Sequence, residues 1–254
     1  MALGAAAFRH AVAQIPASKP AWRPLPLVAR PGSRREERGR SPAMKIETFP
    51  VGPLGCNCSI LVDPTSKSAL VIDPGGDFEK IRTRLVGAGA KVAAIVHTHT
   101  HIDHVGATAP LQRWSGAPAR IHEADRFLYD MLGVQAAMLG MPVPESCEME
   151  GDLADDVAVL AGAIELRVIH TPGHTPGSVS FVATTADGAI AFTGDTLFRR
   201  GIGRTDLWGG DSALILQSLR KKLFSLDDAT SVITGHGPST TIGEERRENP
   251  FLRG

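Results

Sequence analysis

The chain has 254 residues, 43% of them hydrophobic, enough to bury a substantial core and better suited to one large domain than to two small ones. Twenty-seven basic residues balance twenty-seven acidic ones, which gives no support to a nucleic-acid partner, and no apolar run approaches the length of a membrane span. Cys56, Cys58 and Cys147 form no C-x-x-C pair, so the three read as reduced thiols rather than a disulfide framework.

The charge is unevenly spread. Residues 1–43 carry seven Arg and Lys19 against only Glu36 and Glu37, and no acid precedes Glu36. A basic, acid-poor, Ala- and Pro-rich stretch of this kind is expected to be an organelle transit peptide, with the plastid favoured over the mitochondrion. Met44 then opens what reads as a free-standing domain over 44–254.

Strands are expected at 45–51, 59–63 and 68–73, separated by the turn signals G-P-L-G and D-P-T-S. After Pro74-Gly75-Gly76, apolar residues at Phe78, Ile81, Leu85 and Val86 have helical spacing over 77–89. The run KVAAIV at 91–96 is a continuous apolar strand, the kind buried on both faces. His97 to Asp103 read as a loop, with a helix from His104 to about Trp114 and another over 123–139, interrupted at Gly133. Strands follow at 157–162, 164–170, 178–185 and 188–195, then an amphipathic helix at 211–226 and a last strand at 230–237. The order mixes a meander with βα units, and predicts two mixed sheets face to face with helices outside: a four-layer α/β sandwich.

The polar groups that follow these strands concentrate the chemistry. THTHIDH places His99, His101, Asp103 and His104 within six positions after strand 91–96; His174 stands in TPGHTPG, Asp195 ends AFTGD, and His236 ends VITGH. Strand ends of one sheet converge on a common edge, where sites are expected. His99 and His101 are two apart, so in an extended loop they point the same way. They can serve one ion with His174 as third ligand; Asp103 and His104 can serve a neighbour with His236; Asp195 can bridge. Imidazole and carboxylate donors with open positions suit catalytic zinc, and iron or manganese would also accept the set. Glycines beside His174 and His236 let the backbone approach closely. His97 is read as a core or supporting residue, His122 and His170 as packing or surface residues. Asp73 is either a turn former before proline or a hydrogen-bond acceptor for the metal loop.

These motifs resemble the metallo-β-lactamase superfamily. AFTGDTLFRRGIGRTDLWGGD and ITGHGPSTTIGEERRENPFL resemble its glyoxalase II-like group, in particular the short, single-domain bacterial-type proteins, over about Met44 to Leu252. The resemblance implies the αβ/βα sandwich, two metals, and hydrolysis of the thioester S-D-lactoylglutathione; with two divalent ions (Zn2+, Fe2+ or Mn2+) on the donor set, Asp103 is expected to orient the nucleophile and take up a proton. It also implies a substrate-binding role for Arg204, whose competing role is a structural pair with Asp206. The helical C-terminal domain of two-domain hydroxyacylglutathione hydrolases is not expected here, and Tyr129 is the one tyrosine available where that group uses several. Persulfide dioxygenases of the same fold are an alternative, with one iron on His99, His174 and Asp195. Hydrolysis of lactones or other esters, and a non-catalytic binding protein, are further alternatives. The expected partner is a small-molecule thioester, with neither nucleic acid nor membrane.

Overall fold

The computed structural model describes residues 43–252. The transit-peptide reading therefore lies outside the described residues, apart from Ala43. The first sheet runs in the order β1 (Lys45–Val51), β2 (Cys56–Val62), β3 (Ser68–Ile72), β4 (Lys91–Val96) and β5 (Ala119–Arg120). Its first three strands pair antiparallel and its last three parallel. The second sheet contains β6 (Ala158–Ala161), β7 (Ile164–His170), β8 (Val179–Thr185) and β9 (Gly188–Gly194). A two-stranded hairpin, β10 (Leu197–Phe198) and β11 (Gly201–Ile202), follows. β12 (Ser231–Thr234) and β13 (Thr240–Thr241) complete the second sheet, ordered β13-β12-β9-β8-β7-β6 with only β12 and β9 parallel.

The two sheets bury one face each against the other. Leu61, Leu70, Ala94 and Val96 meet Leu166, Val168, Phe181 and Phe192 in a shared apolar layer. The outer face of the first sheet is covered by α1 (Phe78–Gly87), α2 (Ile102–Val105), α3 (Thr108–Ser115), α4 (Arg126–Asp130) and α5 (Leu132–Leu139), through residues such as Ile81, Leu85, Leu111 and Leu132. α6 (Ser212–Lys221) and α7 (Ile242–Glu248) cover the second sheet, with Ile215, Leu219 and Ile242 against Val232. This is the four-layer α/β sandwich expected. Apolar residues run through β4 because both faces are covered. A register shift against β3 leaves one extra residue in β4, so Val92 faces the helices and Ala94 the opposite sheet.

Several boundaries differ from the sequence reading. β2 begins at Cys56 rather than 59, because its pairing with β1 continues back to Cys56, opposite Val51. The helix after the histidine loop starts at Ile102, not His104, and breaks at Gly106–Ala107 before α3. The stretch 123–139 breaks at Met131, between α4 and α5, not at Gly133, and its first turn is a 3-10 turn. α6 gives way to a 3-10 turn after Lys221. The strand read as 230–237 ends at Thr234, so His236 lies two residues beyond it, and it is followed by β13 and α7. The α7 signal was present in the sequence: Thr241 caps the helix by accepting from the Glu244 N–H, the first half of a T-x-x-E capping box. β5, β10, β11 and β13 are two residues long, too short for an alternating pattern.

Candidate active site

The loop after β4, whose histidines are buried, is held from behind. Asp73, just past β3, adopts left-handed backbone (φ 50) ahead of Pro74 and so does make the turn. It also accepts from the Thr98 N–H (2.8 Å), the Thr98 hydroxyl (2.7 Å) and His104 Nδ1 (3.0 Å). Both readings of Asp73 hold at once. His97 is fully buried and bonded to Thr108 Oγ1 and the Arg120 carbonyl, a supporting residue that does not reach the cleft. Gly75 makes room for the loop: a Cβ there would stand 1.6 Å from the Asp103 carbonyl oxygen. Gly235 does the same opposite, where a Cβ would meet Asp195 Oδ1 at 2.0 Å.

All seven candidate ligands converge. His99, His101 and His174 can each offer a donor atom such that the three atoms lie within 4.8 Å of one another, and so can Asp103, His104 and His236. A third such group, His99, His104 and Asp195, spans the two. Asp195 lies between: its Oδ2 is 3.7 Å from His174 Nε2 and its Oδ1 3.4 Å from His104 Nε2.

The ring orientations favour cations. Nδ1 of His104 faces the Asp73 carboxylate, Nδ1 of His174 the Arg204 carbonyl (2.7 Å), and Nδ1 of His236 the Leu54 carbonyl (3.2 Å). Donation there leaves each Nε2 lone pair turned inward, the tautomer a metal-binding histidine needs. Inward, nitrogen faces nitrogen: His104 Nε2 is 3.3 Å from His236 Nε2, and His174 Nε2 is 2.9 Å from His101 Nδ1. His99 Nε2, His101 Nε2 and Asp195 Oδ1 are buried without a hydrogen-bond partner. Facing lone pairs and an orphaned buried carboxylate oxygen are costly unless positive charge is shared among them.

The electrostatics divide the cluster in two. Burial, then its histidine neighbours, pushes His99 well below the usual range and His101 down to about 3, so both are neutral donors at pH 7. His104 is the opposite case. Burial penalises its charged form, but Cys56, Asp103, Asp195 and Asp73 outweigh that and hold it well above the usual range. Asp103 resists its own burial because His104 and His236 hold it below the carboxylate range. Three acids around one buried imidazole demand positive charge, and the donor set suits divalent zinc, iron or manganese.

The metallo-β-lactamase superfamily model matches residues 51–236. The chain belongs to that superfamily. Among relatives of this superfamily member, a hydroxyacylglutathione hydrolase, GloC, of Haemophilus influenzae is 38% identical over 211 residues, 82% of this chain and 98% of its own. Two solved structures share the fold. The BLEG-1 B3 metallo-β-lactamase has a TM-score of 0.76 at 37% identity, covering 83% of this chain and 100% of its own. TTHA1623, in a di-iron-bound form, has a TM-score of 0.70 at 36% identity, covering 81% and 100%. These place the chain beside glyoxalase II-like members of the superfamily and mark it as a metal-binding protein of hydrolase type.

An open cleft of about 170 Å³ leads to the histidines of this superfamily member. His101, Asp103, His174 and Asp195 lie at its floor, and Leu54, Met138, Leu139, Leu207 and Trp208 form much of its wall. Arg204 lines it too, while its guanidinium makes a two-pronged pair with Asp206 (2.7 and 2.8 Å). Tyr129 is elsewhere, buried and bonded to the Cys147 backbone. His122 and His170 stack on each other at 4.1 Å, a packing role. Cys56 and Cys58 are buried free thiols; Cys56 Sγ lies 3.5 Å from His104 Nδ1, behind the site.

Two supporting residues escaped the sequence reading. Asp125, fully buried, accepts from the Gly177 N–H (2.5 Å), the Thr175 hydroxyl (2.8 Å) and the Thr100 N–H (3.2 Å), and its carbonyl accepts from the Thr100 hydroxyl. It thus ties the loop of His99 and His101 to the loop of His174. Burial pushes its carboxyl up to about 6 even so. Gln135 of α5 accepts from the Ile102 N–H and donates to the carbonyls of Thr100 and Leu128. An aspartate in H-E-A-D-R and a glutamine inside an apolar helix carry no sequence signal for these contacts.

Proposed function

We propose that this chain is a glyoxalase II-like thioesterase that works with two divalent ions. His99, His101 and His174 would hold one, Asp103, His104 and His236 the other, with Asp195 shared. The observation that carries the reading is the pair of adjacent donor groups joined by Asp195 at the floor of one cleft. Bound ions supply Lewis-acid polarisation of the thioester carbonyl and bring the pKa of water to about 7. The chain's own residues do the rest. Asp103 reaches the cleft with an ionised carboxylate, 3.0 Å from His236 Nε2, and is the group positioned to orient attacking water and take its proton. Asp73, Arg204 and Leu54 fix the tautomers of the inner histidines. A thiolate is a good leaving group, so no strong general acid is needed beside it. The GloC relative supports S-D-lactoylglutathione as the first substrate to assay, and the di-iron relative supports iron alongside zinc as the first metals.

The test is His101→Ala. Elemental analysis and a lactoylglutathione assay should show loss of bound metal and of most turnover. A variant that kept both metals and full activity would remove His101 from the set. The persulfide dioxygenase reading needs only His99, His174 and Asp195. The gathering of His101, Asp103, His104 and His236 at the same place favours the dinuclear hydrolase, and oxygen consumption with glutathione persulfide would favour the oxygenase.

A further inference from the structure

The wall of the cleft differs in character from its floor. Leu54, Met138 and Leu139 are large apolar side chains left 46%, 56% and 45% exposed, and all three face the same cleft, with Leu207 and Trp208 also lining it. Val134, one helical turn before Met138 on α5, is exposed as well and extends the apolar strip along that helix. Exposed apolar groups that converge in this way mark a surface with a ligand to cover. The strip is fixed relative to the reacting centre, because Gln135 on the same helix is bonded to the backbone at Thr100 and Ile102.

The charge around the cleft points the same way. Among the described residues Arg204 is the one Lys or Arg lining it, and Asp206 already neutralises that guanidinium through two hydrogen bonds. A glutathionyl group brings two carboxylates and an ammonium, and would have to set them against leucines, a methionine and a tryptophan. Unpaired charges gain nothing from such a wall, whereas hydrocarbon does.

Resting on the thioesterase reading, we infer that the substrate is a thioester with an apolar arm, which lies along Leu54, Met138 and Leu139 while the carbonyl meets the histidine floor. The arm is either an aliphatic acyl chain or an apolar thiol, and two substrate series separate these sources.

The metal-replete full chain would be assayed with acetyl, butanoyl, hexanoyl and octanoyl thioesters of N-acetylcysteamine, an uncharged thiol. In parallel it would be assayed with lactoyl thioesters of ethanethiol, butanethiol, hexanethiol and glutathione. Full burial of a methylene is worth about fourfold in binding, so a half-open cleft should raise kcat/KM about twofold per methylene in one series. The lactoyl ester of an apolar thiol, or a longer acyl chain, should then exceed lactoylglutathione. Met138→Gln with Leu139→Gln changes exposed positions only, and should flatten the slope toward no dependence on chain length. Product inhibition should steepen from acetate to octanoate if the arm is acyl, a binding readout independent of turnover. Flat or falling slopes in both series, with lactoylglutathione the best substrate, would overturn the apolar arm and leave the thioesterase standing. Absence of turnover with every thioester would overturn the thioesterase reading and the inference with it.

Discussion

Asp125 offers the sharpest physical test, because two opposed effects act on one carboxylate. Burial disfavours its charge, while Thr100, Thr175 and Gly177 donate three hydrogen bonds that favour it, and burial wins: the carboxyl rises from 3.8 to about 6. A carboxyl whose folded value lies above its unfolded value takes up a proton on folding as the pH drops. The folded state therefore gains stability as pH falls through about 6, and the gain is complete only below about 3.8. Each pH unit in which the folded chain holds the proton and the unfolded chain does not is worth about 1.4 kcal/mol. Going from about pH 7.5 to about pH 5 should thus stabilise the wild type by about 1.4 kcal/mol relative to Asp125→Asn, which cannot titrate. Urea unfolding of both proteins at the two pH values, with chelator present, measures this difference of differences and cancels every other group the proteins share. A gap that stays constant, or moves the other way, would mean that the three donors hold the charge against burial and that the reasoning is wrong.

Removing metal with a chelator should abolish hydrolysis, and adding Zn2+, Fe2+ or Mn2+ should restore it; a stripped protein at full activity would refute the metal centre. Asp73→Asn keeps the shape but weakens the acceptor for His104 and Thr98, and should lower metal affinity about 10- to 100-fold in chelator competition. Gly75→Ala drives a Cβ into the Asp103 carbonyl and should cost about 1–3 kcal/mol in unfolding experiments; an unchanged melting temperature would deny that close approach.

The local part of the candidate site was legible without coordinates. His99, His101, Asp103 and His104 are neighbours in the chain, so their proximity needs no folding argument. His174 and His236 each stand in a glycine-bracketed turn, and Asp195 directly follows Gly194, the last residue of β9. Strand alternation and strand ends are also local signals, and they carried the four-layer architecture. The hydrogen bonds behind the site were not legible. Asp73 meets Thr98 and His104 only because β3 and β4 lie side by side, and Asp125 meets Thr175 and Gly177 only because residues fifty positions apart pack together. Nor does any run of residues spell the apolar wall, which combines Leu54, α5 and the segment of Leu207 and Trp208. Which atoms could bind cations was written in residue type and spacing. How their tautomers are set, and what kind of arm can lie beside them, was decided by tertiary packing, since a buried polar group takes its partner from whatever segment the fold brings against it.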